Sequence, residues 1–509
     1  MPPADAGGAK YLLVLTSTNG TRSSSGIHGT YLLRASQPST SAAGQAPGAD
    51  LGGLTAGQGL RVRDPSLRGR VGASFDRTLR ALEREALADP ETRRPASRPG
   101  NVILAPPPLG DVRTFKACSN LECSSFTNVT ATARYVGMHA AIYLDNNAPA
   151  SDPFTTADLA ELGTSFDTYH YPIDTTAFGR ESDIDANGLV IVLATKAVND
   201  LTPDCESGRV VGFFYGVDLL NRTNSNRAEI FYTLVPAPQT SGCSAVGRRT
   251  ALNNLKPTLI HEFQHMISFN QHALVRPGSS EDTWLNEALS SHAEELGGRL
   301  IPDGECIASG LPSCRSQYSS GNITNGYNYL EDTDTSFVFF AHSEPGTLSD
   351  RGAGWLFLRW MLDQFSADSI LGTSKTRALV GTSLTGMANL TAVTGSPLSS
   401  MIPQWLMATY LDDGVELPEE ATGRLRFKSW GLREIWSNPE FFTAGFPLDP
   451  PSITSSFTRS GPLNAGSGQH FTILQQTLGR AIDIQVLRNT GGGQLDPSLQ
   501  ARFGLVRIR

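Results

Sequence analysis

Apolar residues along this chain change their rhythm from end to end. Near the start, runs at 11–17 and 29–34 read as strands joined by a Gly/Ser-rich turn, part of a small β module. Residues 37–59 are rich in Ser, Ala, Gly and Pro and read as a flexible linker, with a second extended linker at 95–108. Between the linkers, Phe75, Leu79, Leu82 and Ala86 recur at helical spacing, which predicts an amphipathic helix over 74–88. From 112 to 250 the pattern is mixed: strands at 126–135, 140–144, 189–194 and 228–235, and a helix at 156–169. From 251 to about 450 it turns helical. Pro257 suits the first turn of a helix whose buried side carries Leu259, Ile260, Phe263, Met266 and Ile267. A helix over 283–296 should end at Gly297-Gly298, and 352–365 and 403–411 read as two more. The tail returns to strands at 470–475, 481–487 and 503–508, a small all-β domain. Strands followed by helices, without strict alternation, favour α+β over a doubly wound sheet.

These elements suggest four regions. Residues 1–36 form a β-like segment, 37–110 a linker with one helix, 111–450 a large mixed domain and 451–509 a C-terminal β domain.

Composition narrows the partners. A net charge of -8 and a pI near 5.7 argue against nucleic acid or an anionic membrane surface. The apolar runs at 11–15 and 355–362 fall well short of the ~18–20 residues a transmembrane helix needs. The first residues lack a basic stretch and an apolar core, so the chain as given carries no secretory signal. Six cysteines nevertheless fall in close pairs, Cys118 with Cys123, Cys205 with Cys243 and Cys306 with Cys314. Such pairing favours local disulfides and an extracellular setting.

The strongest chemical signal is His261-Glu262-Phe263-Gln264-His265. Two imidazoles four residues apart share one helix face and can grip one metal ion, with the intervening Glu262 as general base. A catalytic zinc site takes three protein ligands and keeps a fourth position open. Glu281, Glu287, Glu294 and Glu295 compete for the third place; Glu287, in Asn286-Glu287-Ala288-Leu289, is the best candidate. Glu294 shares its face seven residues on, and Glu294 or Ser291 could orient a ligand histidine. Weaker signals surround this one. Asp183-Ile184-Asp185-Ala186-Asn187-Gly188 begins like a calcium loop, but its twelfth position is Ala194, so an Asx-rich turn is the plainer reading. His272 and His292 lack ligand spacing.

Together, His261-Glu262-X-X-His265 and Asn286-Glu287-Ala288-X-Ser290 resemble the gluzincin zinc metallopeptidases. The fuller text is most similar to the hyicolysin-type (M30) secreted neutral peptidases. The resemblance implies one zinc per chain held by His261, His265 and Glu287, with Glu262 as the base. It implies that 111–450 is the catalytic domain, a thermolysin-like core with a strand-rich upper subdomain at about 111–268 and a helical lower one at about 269–450, flanked here by small β-rich ends. It also implies an edge strand that pairs with extended substrate, for which 228–235 is the candidate, and an oxyanion donor, for which Tyr327, Tyr329 and His342 are candidates. The expected activity is endoproteolysis of proteins or peptides. An aminopeptidase of the same clan and a non-catalytic binding protein are the alternatives. The first would carry a Gly-X-Met-X-Asn segment, and none precedes His261.

Overall fold

A computed structural model describes residues 9–20, 28–36, 67–91, 93–95, 105–336, 338–340, 346–368, 370–415, 417, 423–442, 445–453, 456–475, 481–489 and 492–508. The expected linker at 37–59 and most of that at 95–108 lie outside these residues. The chain divides into two compact units. One comprises Met1–Arg63, Gly326–Phe339 and Ser396–Arg509; the other comprises Asp64–Asn325 and Phe340–Gly395.

The first unit is built on two sheets to which both ends of the chain contribute. Strands β1 (Ala9–Ser17) and β2 (His28–Ser36) do not pair with each other. With β9 (Ser452–Ile453), β10 (Phe457–Asn464), β11 (Gly468–Gln475), β12 (Asp483–Arg488) and β13 (Ala501–Arg507), they form sheets of order β13-β1-β11-β9 and β10-β2-β12. Each N-terminal strand is thus an inner strand. Tyr11, Leu13, Leu15, Tyr31, Leu33, Phe471 and Ile473 fill the core between the sheets.

The second unit holds a six-stranded mixed sheet of order β3-β4-β5-β6-β8-β7. Its strands are β3 (Val112–Cys118), β4 (Phe126–Val136), β5 (Ala140–Asp145), β6 (Val190–Ala194), β7 (Gly212–Phe214) and β8 (Ile230–Thr233). The apolar run of β6 and the largely apolar run of β8 suit strands paired on both sides, and every residue of both is buried. This corrects one expectation: β8, inside 228–235, lies between β6 and β7, and the edge strand is β7. Three residues, Gly-Phe-Phe, are too short to announce a strand by alternation.

The helices of this unit are, in chain order, α1 (Arg70–Ala88), α2 (Thr156–Ser165), α3 (Tyr171–Ala177), α4 (Lys196–Asp200), α5 (Arg248–Phe269), α6 (Thr283–Leu300), α7 (Asp303–Ile307), the first part of α8 (Cys314–Leu330), α9 (Leu348–Phe365), α10 (Thr373–Val380) and α11 (Gly386–Thr394). Capping boxes start α2 at Thr155/Asp158 and α9 at Thr347/Asp350. Two expected boundaries move for identifiable reasons. α5 begins nine residues before Pro257, which lies inside it. Proline leaves the carbonyl four residues back without its helical donor, and Gln317 Nε2 supplies one to Asn253 O at 3.2 Å. α6 runs through Gly297-Gly298 instead of stopping there. A Cβ on Gly297 would stand 2.8 Å from a ring carbon of Tyr318, so these glycines let α8 approach and do not cap the helix. The disulfides Cys118–Cys123, Cys205–Cys243 and Cys306–Cys314 form as the cysteine spacing suggests.

Candidate metal centre

α5 packs against α6 and β7. This crossing brings one face of each helix together. Atoms of His261, His265 and Glu287 that could bind a metal all lie within 4.8 Å of one another. His261 Nε2 is 3.7 Å from Glu287 Oε2, and His265 Nε2 is 3.6 Å from Glu287 Oε1. Ligands at zinc-like bond lengths in a tetrahedron stand about 3.3 Å apart, so the donor set fits that ion with small adjustment. Glu287 Oε1 is buried without a hydrogen-bond partner, as an oxygen reserved for a cation would be.

The imidazoles are held by neighbours. His261 Nδ1 lies 2.7 Å from Glu294 Oε1, which leaves Nε2 facing His265 and Glu287. Glu294 is held in turn by Arg68 and by Asn322 Nδ2 at 3.2 Å. Ser290 Oγ is 3.1 Å from His265 Nδ1. Of the two residues expected to orient a histidine, Glu294 does so; Ser291 does not, and its neighbour Ser290 takes that place. Glu262 Oε2 accepts the backbone N–H of Phe214, on the edge strand, at 2.9 Å.

Electrostatics favour neutral imidazoles. Burial, then the nearby cations Arg68, Arg351 and Arg80, hold His261 well below its usual pKa. Burial, then His261 and Arg80, do the same to His265. Burial raises the carboxyl of Glu262 to about 8, with Asp76 adding to the effect. It raises Glu287 to about 7 against the pull of Arg351. A divalent cation among these groups would reverse the carboxyl shifts, since it would be the largest local charge.

The competing carboxylates are engaged elsewhere. Glu281 accepts the N–H groups of Asp282 and Gly386, each at 2.6 Å, and Asn389 Nδ2 at 2.8 Å. Glu295 accepts Arg299 Nε at 2.8 Å and Trp355 Nε1 at 3.0 Å. His272 and His292 are buried structural residues; His292 Nε2 meets the Leu371 carbonyl at 2.8 Å.

Of the expected oxyanion donors, Tyr327 and Tyr329 belong to the other compact unit. Tyr327 stacks on Phe442 at 5.1 Å and Tyr329 on Trp405 at 5.7 Å, all four within the unit that carries β1 and β2. His342 lies outside the described residues. What sequence reading missed is Arg351 on α9, whose Nη1 donates to Glu287 Oε2 at 2.5 Å. An arginine 64 residues from its partner leaves no local pattern to read.

Asp183, Asp185 and Glu229 also approach within 4.8 Å. The loop's own donors occupy much of this cluster. Gly188 N binds Asp183 Oδ1 at 3.1 Å, Asn187 Nδ2 binds Asp185 Oδ2 at 2.6 Å, and Ile184 N binds Glu229 Oε1 at 2.9 Å. This is the Asx-rich turn of the plainer reading, and the calcium alternative is left without support.

No protein-family model matches the chain. The neutral metalloprotease ShpI of Staphylococcus hyicus is 30% identical over 194 residues, which are 37% of this chain and 40% of that protein. The match therefore spans well under half the relative's length. Among solved structures, a mutant M1 zinc metallopeptidase from Deinococcus radiodurans aligns with a TM-score of 0.31 and 13% identity over 61% of each chain. An M1 zinc metallopeptidase from the same organism aligns at 0.26 and 13%, over 58% of this chain and 48% of that one. The chain's likeness to the gluzincin zinc metallopeptidases, of the M30 type, thus extends from two short motifs to a 194-residue match with a protein named as a metalloprotease.

Proposed function

We propose that this chain is a zinc-dependent metalloendopeptidase on a gluzincin-type core, hydrolysing peptide bonds in proteins or peptides outside the cell. The observation that carries the reading is the convergence of His261, His265 and Glu287, with Glu262 beside them on the same helix. A zinc ion there supplies Lewis acidity, polarising a peptide carbonyl and making water acidic near neutral pH. Glu262 takes the proton of the attacking water and returns it to the leaving nitrogen. The Phe214 N–H orients that carboxylate. Glu294 and Ser290 fix the two imidazole rings. Arg351, which donates to Glu287 at the edge of the cluster, is the proposed donor for charge developing on the carbonyl oxygen. The three disulfides support an oxidising, extracellular setting. No helix among the described residues is long and apolar enough to cross a membrane.

The test pairs a zinc determination with cleavage of an N-terminally blocked peptide. Glu262→Gln should keep one zinc per chain while kcat falls roughly 10²–10⁴-fold. Retained turnover would remove Glu262 from its role. Cleavage confined to peptides with a free amino terminus would favour the aminopeptidase.

A further inference from the structure

The four residues of the proposed centre are closed off: His261, Glu262, His265 and Glu287 are only 2–6% exposed. Residues 67–88 press on their surroundings at several points. The Leu67 carbonyl accepts Arg209 N at 2.9 Å, and Val71 N donates to Ser207 O at 3.3 Å. Arg68 and Arg209 bridge in parallel, so this stretch adds to the backbone just before the edge strand β7. Gly69 makes the approach possible, because a Cβ there would stand 2.3 Å from Ser207 O. α1 then packs against the 3-10 turn at Gly216–Leu219 that follows β7. Arg80 Nη2 donates to the Phe214 carbonyl at 2.5 Å, and Glu83 Oε1 accepts Gly216 N at 2.6 Å. The two side chains pair at 3.1 Å and are buried. Phe75 packs edge-on against Phe213 at 5.0 Å.

These contacts occupy a particular set of groups. Phe214 closes β7, which has no strand on its outer side among the described residues, and Gly216 opens the 3-10 turn that follows. The Phe214 N–H already serves Glu262, so an extended peptide adding to that edge needs the Phe214 carbonyl for its own backbone. Arg80 takes that carbonyl, and Glu83 holds the turn behind it. The helix also engages Arg351, through the Ala73 carbonyl at 3.3 Å and Asp76 Oδ2 at 3.5 Å.

We propose that residues 67–88 are an inhibitory strap, in which Arg80 stands in for substrate backbone at the Phe214 carbonyl of β7 and Glu83 fastens the helix to the turn that follows, and that the strap must leave before a peptide chain can pair there. The inference rests on the peptidase reading above and takes β7, the edge strand whose Phe214 N–H meets Glu262, as the edge that pairs with extended substrate.

The experiment uses the full-length, zinc-loaded protein and an internally quenched, N-terminally blocked peptide. In Arg80→Ala/Glu83→Ala, kcat/KM should rise at least about tenfold, because the competent state becomes more populated, and the gain should vanish with 1,10-phenanthroline. An equal or lower rate with zinc still bound and an unchanged melting temperature overturns the strap. If the double variant fails to fold, Asp76→Ala in the same assay replaces it, with the same two outcomes. Hydrogen exchange on the wild type needs no turnover. α1 should exchange through an opening that leaves α5 and α6 protected, and protection equal to that of α5 overturns the proposal. Absence of zinc and of cleavage in every protein would instead count against the peptidase reading.

Discussion

Glu294 does two jobs at once: one oxygen meets His261 Nδ1, and the same carboxylate neutralises Arg68. Removing it frees the histidine to rotate and leaves an arginine without its partner. Residues that orient a ligand histidine typically contribute roughly 10–100-fold to metal affinity. Glu294→Ala should therefore weaken zinc binding by about that factor in chelator competition. Ser291→Ala is the control, since that residue meets the network through its backbone carbonyl, which accepts Asn322 Nδ2 at 3.0 Å. Equal loss in both variants, or in neither, would refute the assignment. His261 and His265 were legible because helical geometry turns a spacing of four into a shared face, and Glu262 and Glu287 through the motifs around them. Arg68, Asp76 and Arg351 were not. Each reaches the centre from a distant segment, and a lone charge carries no periodicity.

At the level of elements, sequence rhythm found most strands and helices but misjudged what glycine and proline do in context. Gly297 illustrates the point, because two effects of known size oppose each other there. Alanine would favour the helix by about 1 kcal/mol. Its methyl group would also press on Tyr318, 2.8 Å away, and overpacking a filled core costs about 1–3 kcal/mol. The ring has little freedom to yield, since Tyr318 is buried and its hydroxyl lies 2.7 Å from His170 Nε2. Packing should win: Gly297→Ala is expected to lower stability by about 1 kcal/mol, read as a lower urea midpoint at unchanged slope. A higher midpoint would mean that α8 can move away. Pro257 teaches the same lesson from the other side. It reads as a helix start until Gln317 is seen supplying the donor that its ring removes.

Across the whole molecule, the two ends of the chain each read correctly as strand-rich, but sequence alone could not say that they complete the same sheets. Pairing between residues more than 450 apart has no local signature. It has a large energetic consequence. β1 lies between β11 and β13, matched from Ala9 opposite Gln475 to Thr16 opposite Gly468 on one side and from Tyr11 opposite Arg507 to Ser17 opposite Ala501 on the other. β2 lies between β10 and β12 in the same way. Deleting residues 1–36 would strip Tyr11, Leu13, Leu15, Tyr31 and Leu33 from the core. At about 1.5–3 kcal/mol for each large side chain, that loss is comparable to the whole stability of a typical domain, about 5–15 kcal/mol. It would also expose four new strand edges, on β10, β11, β12 and β13. The C-terminal strands should then be unable to stay folded. Trypsin should cut the truncated chain rapidly at Arg459, Arg488 and Arg502, which lie within or at the end of strands in the intact protein. Adding a peptide spanning residues 9–36 should restore resistance by strand addition. A truncated chain that resists trypsin as well as the intact one would mean that β9–β13 form a stable unit without the N-terminal strands.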